Sequence, residues 1–359
     1  MTLLDIQNLK TYYREDDGGM VRATDDVSLA IEAGETLGLV GESGSGKTTI
    51  ARSIIRLLPE NGDIVDGSIE YDGIEVTELT KKELNRQIRW SEISMIPQNA
   101  MNGFDPVYTV GEQIVEAIQV HEDGTSKTAA RARARELFEE LGIEGDRIDD
   151  YPHQFSGGMA QRAMIALALC LEPGLILADE PTTALDVVIQ DRILETITDM
   201  QTEIGSAMIL ITHDMSVVSE TCDRIAVVYG GRIVEIADAA TIISNPRHPY
   251  TLGLRNAFPD IEEGDQDLVS IPGTPPDLTD PDEGCRFAPR CPFAQEECWQ
   301  VTPVPESYGD GHVVECHRAD EADLLREEAA KRDTWLDLLE EGAAPGDAEE
   351  GVGEVELDD

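Results

Sequence analysis

The stretch GESGSGKTT, residues 41–49, decides the fold of this chain. It matches the phosphate-binding loop pattern G-x-x-x-x-G-K-[ST] at every position. In this pattern the glycines let backbone N–H groups approach phosphate oxygens, the lysine reaches the β and γ oxygens, and the hydroxyl after it ligates Mg²⁺. We therefore predict nucleotide binding, with Thr48 also a magnesium ligand, through Gly41, Ser43, Gly44, Gly46, Lys47, Thr48 and Thr49.

The sequence on either side of the loop argues against a glycine-rich surface turn that matches by chance. Residues 36–40 predict a strand leading into the loop, and residues 50–58 predict the helix that should follow it. Two further apolar runs, 175–178 and 208–211, are typical of buried parallel strands. Together these segments predict an α/β fold with a core of the P-loop NTPase type.

The rest of the chain shows further patterns that predict secondary structure. Residues 225–228 and 232–236, joined by two glycines, predict a β-hairpin. Residues 342–359 are acidic and of low complexity, which predicts disorder. The remaining predictions are short strands at 3–6 and 27–31, a strand pair at 67–76, helices at 78–90, 110–121, 125–141 and 163–171, and one charged amphipathic helix at 320–339.

The chain has 359 residues and a formal net charge of −46, and its acids are not confined to one tail. Lysine is scarce, with six Lys against 21 Arg. Such a surface stays hydrated in molar salt, where the Debye length is about 3 Å and self-repulsion is screened. We expect a halophilic protein; the alternative is an ordinary acidic protein with a disordered tail. Because no basic stripe exists, we do not expect nucleic acid as the main partner.

The apolar segments are too short for a membrane span. The longest unbroken apolar run, 163–171, has nine residues, whereas a spanning helix needs about 20. The N-terminus lacks the charged and apolar regions of a signal peptide. We therefore expect a protein that stays in the cytoplasm.

Two adjacent carboxylates follow the predicted strand at 175–178. Asp179 is placed to hold Mg²⁺, directly or through water, and Glu180 to polarise a water that attacks the γ-phosphate. A pair of acids at a strand end is also common as a simple cap. Only the phosphate loop in the same chain makes the catalytic interpretation the stronger one.

A second anion-binding helix start lies in FSGGMAQR, residues 155–162. Ser156 offers a hydroxyl, and Gly157 and Gly158 expose N–H groups where an apolar helix begins. One chain then has two phosphate-facing helix starts but only one phosphate loop. With this combination of motifs, residues 1–245 resemble the ATP-binding cassette (ABC) family of transport ATPases. The resemblance makes residues 156–159, ending at Met159, the signature that closes over ATP bound to a partner subunit. Phe155 and Met159 depart from the commonest form, which has Leu and Gln, but Met is similar to a peptide-importer branch.

The resemblance implies the other elements of an ABC ATPase: a mixed sheet, a helical subdomain at about 100–170, and ATP with Mg²⁺. Gln98 matches the glutamine that senses the γ-phosphate, ligates Mg²⁺ and touches the membrane subunit. Asp186 falls in the loop that bridges two ATPases, and His213 matches the histidine that contacts the γ-phosphate. An aromatic should stack on adenine, and Tyr13 is favoured over Tyr12. With Glu180 and His213 both present, we predict a site that hydrolyses ATP.

The segment after residue 245 narrows the branch of the family. Residues 245–254, residues 182–190 and a cysteine segment resemble oligopeptide/dipeptide importer ATPases. The resemblance suggests that four thiolates hold a [4Fe–4S] cluster, a chemistry that suits four cysteine ligands. Zinc and clustered free thiols stay as alternatives, although the C-x₂-C pairs of zinc sites are absent. The four residues are Cys285, Cys291, Cys298 and Cys316, whereas Cys170 and Cys222 are expected to be core residues.

The sequence thus predicts three parts: a nucleotide-binding domain at 1–245, an importer-type extension at 246–319, and a charged helix with an acidic tail at 320–359. The implied function is the ATPase subunit of an importer, at the cytoplasmic face of the cell membrane. Its implied partners are two integral membrane subunits, a second ABC ATPase of the same or another sequence, and indirectly an extracellular binding protein. Peptide is the leading cargo, with nickel or sugar as alternatives. The rivals are a soluble cassette acting on nucleic acid or ribosomes, and a scaffold that binds ATP without turnover.

Overall fold

The structure is a computed structural model that describes residues 1–98, 103–182, 187–257, 271–281 and 283–341. Its strands form two sheets, and its buried apolar residues form two clusters, one shared by both sheets and one between the larger sheet and most of the helices. In chain order the strands are Thr2–Arg14 (β1), Met20–Glu32 (β2), Thr36–Val40 (β3), Gly62–Tyr71 (β4), Ile74–Glu75 (β5), Ile93–Ile96 (β6), Leu175–Asp179 (β7), Ala207–Thr212 (β8), Arg224–Tyr229 (β9), Arg232–Asp238 (β10), Glu306–Ser307 (β11) and Val313–Val314 (β12).

The larger sheet has eight strands in the order β11-β12-β10-β9-β3-β8-β7-β6. Its centre is parallel: β3 pairs with β8 and β9, and β7 pairs with β6 and β8. Every residue of β3 and β7 is buried, as expected for apolar strands covered on both faces. The strands predicted at 36–40, 175–178 and 208–211 are confirmed. Their register brings the carboxyl ends of β3, β7 and β8 to one edge, where the predicted site residues follow.

The hairpin predicted from the two glycines is also confirmed. β9 and β10 are antiparallel, with Arg232 opposite Tyr229. Both glycines between them have positive φ, the combination that a tight two-residue hairpin turn requires. The sheet is therefore mixed, with a parallel centre and an antiparallel edge, as the family resemblance implied.

The smaller sheet is antiparallel, in the order β2-β1-β4-β5. The strands predicted at 3–6 and 27–31 are only parts of β1 and β2, each of which has 13 residues. Several register shifts along the β1–β2 pairing let the strands continue past polar residues while Leu4, Ile6 and Leu9 stay buried. The pair predicted at 67–76 is confirmed as β4 and β5, although β4 starts earlier, at Gly62.

The helices predicted before residue 172 are confirmed, with shifted ends. α1 begins at Lys47 and ends at Ile54, because the chain turns through Arg56, whose φ is 49°. No helix in the described part of the chain is long and apolar enough to cross a membrane. The helices are Lys47–Ile54 (α1), Lys81–Gln87 (α2), Val110–His121 (α3), Lys127–Glu140 (α4), Gly157–Leu169 (α5), Val187–Ile204 (α6), Met215–Thr221 (α7), Ala239–Ser244 (α8), Pro249–Asn256 (α9), Glu296–Gln300 (α10), Ala322–Ala329 (α11) and Arg332–Glu341 (α12).

A group of three helices, α3, α4 and α5, lies between β6 and β7 in the chain. Local sequence explains where two of them start: Thr109 and Glu112 form a capping box before α3, and the Ser126 hydroxyl accepts a hydrogen bond from Ala129 N before α4. Apolar faces of all three helices share one buried cluster with the larger sheet. This packing sets the direction in which α5 presents its first residues.

The single helix predicted at 320–339 is wrong. The chain forms α11 and α12 instead, with a turn at residues 330–331. The indole Nε1 of Trp335 donates to Ala329 O at 2.9 Å, and the Thr334 hydroxyl donates to Glu328 O at 2.8 Å. These bonds satisfy carbonyls at the end of α11 and fold Trp335 into the core, where it is 1% exposed. The predicted disordered tail at 342–359 lies outside the described residues.

The segment after residue 245 completes the larger sheet. β12 pairs antiparallel with β10, and β11 pairs with β12. Beneath this edge Glu235 is fully buried and accepts hydrogen bonds from the backbone N of Arg247 and of His248. The ring of His312 lies 2.7 Å from the same carboxylate. The extension thus supplies both a strand and polar partners for a buried acid of β10.

Candidate nucleotide site

The phosphate loop leaves the carboxyl end of β3 and enters α1. Gly46 stands at the helix N-terminus with φ 107°, and a Cβ there would lie 2.2 Å from the backbone O of Ala23. Only glycine combines a left-handed conformation with so close a neighbour. Ser43 and Gly44 lie exposed at the tip of the loop, where a ligand can reach them.

Lys47 is buried at the base of the loop. Its ammonium group donates to Gly41 O at 2.7 Å and to Glu42 O at 2.8 Å. Burial lowers the pKa of Lys47, and the carboxylates of Glu180, Asp179 and Glu42 oppose that shift. These acids favour the protonated, positively charged form of Lys47, which is the form that binds phosphate oxygens.

Thr48 and Asp179 meet directly beside the loop. The Thr48 hydroxyl donates to Asp179 Oδ1 at 2.9 Å, although 131 residues separate them in sequence. Burial raises the pKa of Asp179, and the Thr48 hydrogen bond opposes that rise. A hydroxyl and a carboxylate oxygen at this spacing are ligands that suit Mg²⁺. The donor set therefore fits the magnesium site that the sequence predicts.

Glu180 lies where three segments converge. Its backbone has φ 46°, and its N–H donates to Ile211 O on the neighbouring strand. Gln98 Nε2 donates to Glu180 Oε2 at 2.8 Å. His213 Nδ1 lies 3.7 Å from Glu180 Oε1, and the His213 side chain is 68% exposed. All three residues predicted to be catalytic therefore lie together, next to the Thr48–Asp179 pair.

The two tyrosine candidates for adenine stacking differ in their surroundings. The Tyr13 hydroxyl lies 3.2 Å from Thr49 Oγ1, so its ring is beside the first turn of α1. The Tyr12 hydroxyl donates to Asp25 Oδ1 at 2.7 Å, and the guanidinium of Arg22 lies over its ring. Tyr12 is thus held within its own sheet, whereas Tyr13 reaches the phosphate loop. Stacking by Tyr13 stays a prediction.

The predicted signature lies at the start of α5. Ser156 is the residue before the helix, and its side chain makes no capping bond to the helix backbone. Ser156 and Gly157 are exposed, while Gly158 and Met159 are partly buried. This helix start is therefore open toward solvent, as contact with a second molecule would require. Asp186, predicted to bridge two subunits, lies outside the described residues.

Sequence reasoning missed the residues that link the loop to the cysteine segment. The guanidinium of Arg290 binds both carboxylate oxygens of Glu42, at 2.6 and 2.9 Å. Glu42 N donates to the Tyr250 hydroxyl at 2.9 Å. No local pattern predicts these contacts, because 248 and 208 residues separate the partners.

The four clustered cysteines line one small cavity, together with His248, Phe287 and His317. Burial raises the pKa of Cys285 to about 11 and that of Cys316 to about 12. Backbone N–H groups of Gln295 and Arg318 point at Cys298 Sγ and Cys316 Sγ, at 3.5 and 3.4 Å. All six cysteines are free, and Cys170 and Cys222 are buried core residues, as predicted. Within the described ranges, however, no group of three or more His, Cys, Asp or Glu side chains is placed to hold a metal ion.

Comparisons with known proteins agree with this geometry. The ABC transporter family model matches residues 24–183, and the model described as oligopeptide/dipeptide transporter, C-terminal region, matches residues 234–298. A probable peptide ABC transporter ATP-binding protein of Sinorhizobium fredii, y4tR, is 44% identical over 323 residues, which cover 89% of this chain and 96% of the relative. The oligopeptide transport ATP-binding protein OppD of Haemophilus influenzae is 42% identical, covering 88% of this chain and 96% of the relative. The dipeptide transport ATP-binding protein DppD of Escherichia coli is 41% identical, covering 88% of this chain and 97% of the relative.

Solved structures show the same fold. A dimeric ATP-binding cassette in a post-hydrolysis state, bound to ADP and phosphate, is 28% identical with a TM-score of 0.60. The match covers 66% of this chain and 98% of that structure. The predicted α/β fold is therefore confirmed, and the chain belongs to the ABC transporter family, among the ATP-binding proteins of its oligopeptide/dipeptide branch.

Proposed function

We propose that this chain is the ATP-hydrolysing subunit that energises import of peptides. The observation that carries the proposal is the convergence of Gln98, Glu180 and His213 beside the Thr48–Asp179 pair at the end of the phosphate loop. A scaffold that only binds ATP has no need of a carboxylate held between a glutamine and a histidine at this place. The curated relatives, named as peptide, oligopeptide and dipeptide transport proteins, support the choice of cargo over nickel or sugar.

The arrangement suggests how the chain's own residues act. The loop N–H groups and Lys47 hold the β- and γ-phosphates, and Thr48, Asp179 and Gln98 would hold a Mg²⁺ ion, which would neutralise phosphate charge. Glu180 orients and polarises the attacking water, and His213 contacts the γ-phosphate from the neighbouring strand end. Positioning and charge neutralisation do most of the work in phosphoryl transfer of this kind.

The exposed start of α5 supports a second part of the proposal. Ser156 and Gly157 are exposed and Gly158 is partly exposed, so these residues serve the ATP of a partner subunit rather than that of their own chain. The working unit is then a sandwich of two ATPases, in which Asp186 of each bridges to the other. Hydrolysis reopens the sandwich.

A groove beside Gln98 suits the membrane subunits. It has a volume of about 570 Å³ and runs between α1, α2, β6 and the helical group. Three apolar side chains at its rim are well exposed: Leu57 at 54%, Trp90 at 39% and Val120 at 68%. Pro97 also lines the groove. A protein bound there would therefore contact the residue directly before Gln98, the predicted γ-phosphate sensor. We infer that an integral membrane subunit docks in this groove, one subunit for each of the two ATPases, and that the chain therefore works at the cytoplasmic face of the cell membrane.

The experiment that tests this function is affinity purification of the tagged protein from its own membranes in high salt, with every co-purifying chain identified. We expect two polytopic membrane proteins, with a second ABC ATPase where the pair is not identical. An extracellular binding protein that stays attached would deliver the cargo for identification, and peptide bound to it is the expected result. Recovery with ribosomes or DNA, or of this chain alone, would overturn the transport proposal and leave the ATP site standing.

We further propose that the four cysteines of the cavity hold a [4Fe–4S] cluster. Four thiols on one small cavity, two of them approached by backbone N–H groups, supply the ligand type that such a cluster uses, although the thiols would have to move closer together to hold it. Anaerobic purification is expected to give about four iron and four sulfide per chain. Cys291→Ser should lower both contents, whereas Cys170→Ser, outside the cavity, should change neither. An iron-free protein after anaerobic purification would refute the cluster.

The acidic surface supports a salt requirement, which we also propose. With a net charge of −46, repulsion within the fold falls as salt screens it. We expect the unfolding temperature and ATPase activity to rise together as KCl increases from 0.1 to about 3 M, where the Debye length falls below ~3 Å. Full activity and an unchanged unfolding temperature at low salt would rule out halophilic adaptation.

A further inference from the structure

Arg290 joins the cysteine segment to the phosphate loop. It lies next to Cys291 in sequence, yet its guanidinium binds both carboxylate oxygens of Glu42. Its Nε donates to Pro272 O at 2.8 Å, which fixes the plane of the group. The Arg290 side chain is 6% exposed and that of Glu42 is 27% exposed. This is a largely desolvated, bidentate pair rather than a surface contact.

The extension holds the backbone of Glu42 as well. Glu42 N donates to the hydroxyl of Tyr250, which is fully buried. The Tyr250 ring packs on Tyr229 and Phe287, with ring centroids 4.5 and 5.4 Å apart. Phe287 belongs to the cysteine segment and lines the thiol cavity. Glu42 is therefore held through its side chain by one residue of the extension and through its N–H by another.

The backbone carbonyl of Glu42 also binds Lys47, whose ammonium group is predicted to contact the phosphates. Lys47 Nζ donates to Glu42 O at 2.8 Å and to Gly41 O at 2.7 Å. A change in the backbone of Glu42 thus moves the groups that place the Lys47 ammonium. Arg290, Glu42 and Lys47 form a continuous line of contacts from the cysteine segment to the phosphate site.

We propose that Arg290 is a positioning residue for ATP binding: through Glu42 it sets the shape of the phosphate loop and neutralises an acid beside the phosphates. The inference rests on the proposed ATPase function and deepens it, because it makes the C-terminal extension part of the ATP site. Both effects of Arg290, on the shape of the loop and on the charge of Glu42, increase the affinity for ATP. Without the guanidinium, the loop loses an anchor and the unpaired Glu42 carboxylate repels the phosphates.

The test is ATP affinity of the full-length protein, measured by direct nucleotide binding, together with KM and kcat of its ATPase activity. Arg290→Lys keeps a positive charge but loses the bidentate geometry, and we expect about a tenfold rise in Kd and KM, within the usual range of coupling between sites. We expect kcat to change by less than about threefold, because Glu180 and His213 are not touched. Glu42→Gln added to Arg290→Ala removes the unpaired charge and should recover part of the affinity lost in Arg290→Ala alone.

Two further variants separate positioning from a general loss of structure. Tyr250→Phe deletes one hydroxyl with little change in packing and should raise Kd in the same direction. Arg326→Lys is the matched control, since Arg326, in α11, also donates to a backbone carbonyl, that of Pro246 in the extension, without touching the loop. An unchanged Kd in folded Arg290→Lys, or an equal rise in Arg326→Lys, would overturn the proposal. If the unmodified protein binds no ATP, the proposed function itself fails.

Discussion

Replacing Glu180 with Gln is expected to lower ATP turnover by about 100-fold to 10,000-fold while leaving ATP affinity nearly unchanged. Glutamine keeps the size of the side chain and an oxygen for the Gln98 amide, so the site geometry persists. What disappears is the negative charge that polarises the attacking water. Steady-state phosphate release and direct nucleotide binding, measured on the same preparation, give the two numbers.

The same variant should accumulate the ATP-bound sandwich, because closure no longer leads to hydrolysis. Size-exclusion chromatography with ATP is expected to show a dimer, or a stabilised complex with the second ATPase. Adding Ser156→Arg, which blocks the exposed helix start, should abolish that species without affecting ATP binding. Glu172→Gln, a charge change in a loop outside the site, serves as the control. Wild-type turnover in Glu180→Gln would remove Glu180 from the catalytic role.

Replacing Gly46 with Ala is expected to destabilise the protein by about 3 kcal/mol or more and to abolish nucleotide binding. The new Cβ would stand 2.2 Å from Ala23 O, and the residue would keep a left-handed φ of 107°. Neither obstacle yields to a side-chain rotation, because the neighbour is backbone. Chemical denaturation gives the loss in free energy of unfolding, and titration with ATP gives the loss in binding.

Gly34 supplies the matched control for this experiment. Its φ is 77°, yet nothing lies within 4 Å of an added Cβ, and it is exposed before β3. Gly34→Ala should therefore cost about 1 kcal/mol through backbone strain alone and leave ATP binding intact. Equal losses of stability in the two variants would show that the close approach to Ala23 does not matter.

Local patterns predicted the parts of the fold that local physics determines. The phosphate loop, the all-apolar strand before Asp179 and the two-glycine hairpin each carry their signal within twelve residues or fewer. The same limit explains the errors. Composition does not show that Trp335 turns back to cap α11, and so the predicted single helix divides in two. The length of β1 and β2 depends on pairing between them, which a strand's own residues do not specify.

The residues of the site also divide into those that local sequence predicted and those that it did not. Thr48 and Asp179 follow from residue chemistry, but their direct contact is a product of strand order, since β8 lies between β3 and β7. Gln98 and His213 carry no local signal of their own and came only from the family resemblance. Neither residue chemistry nor the family resemblance predicted the Arg290–Glu42 pair, because residue type and spacing do not indicate an ion pair between residues 248 positions apart.

The pairing of β12 with β10 has a consequence for how the chain is made. Glu235 opposes Val314, so β10 leaves the ribosome well before its neighbour exists. At 5 to 20 residues per second the interval is on the order of 4 to 16 s, during which β10 is an open sheet edge. Its buried acid also lacks His312 during that time. During this interval the exposed edge of β10 in the nascent chain can pair with a strand of another chain or bind a chaperone. The exposure ends only when residues 285–316, which contain the four clustered cysteines and β12, have left the ribosome.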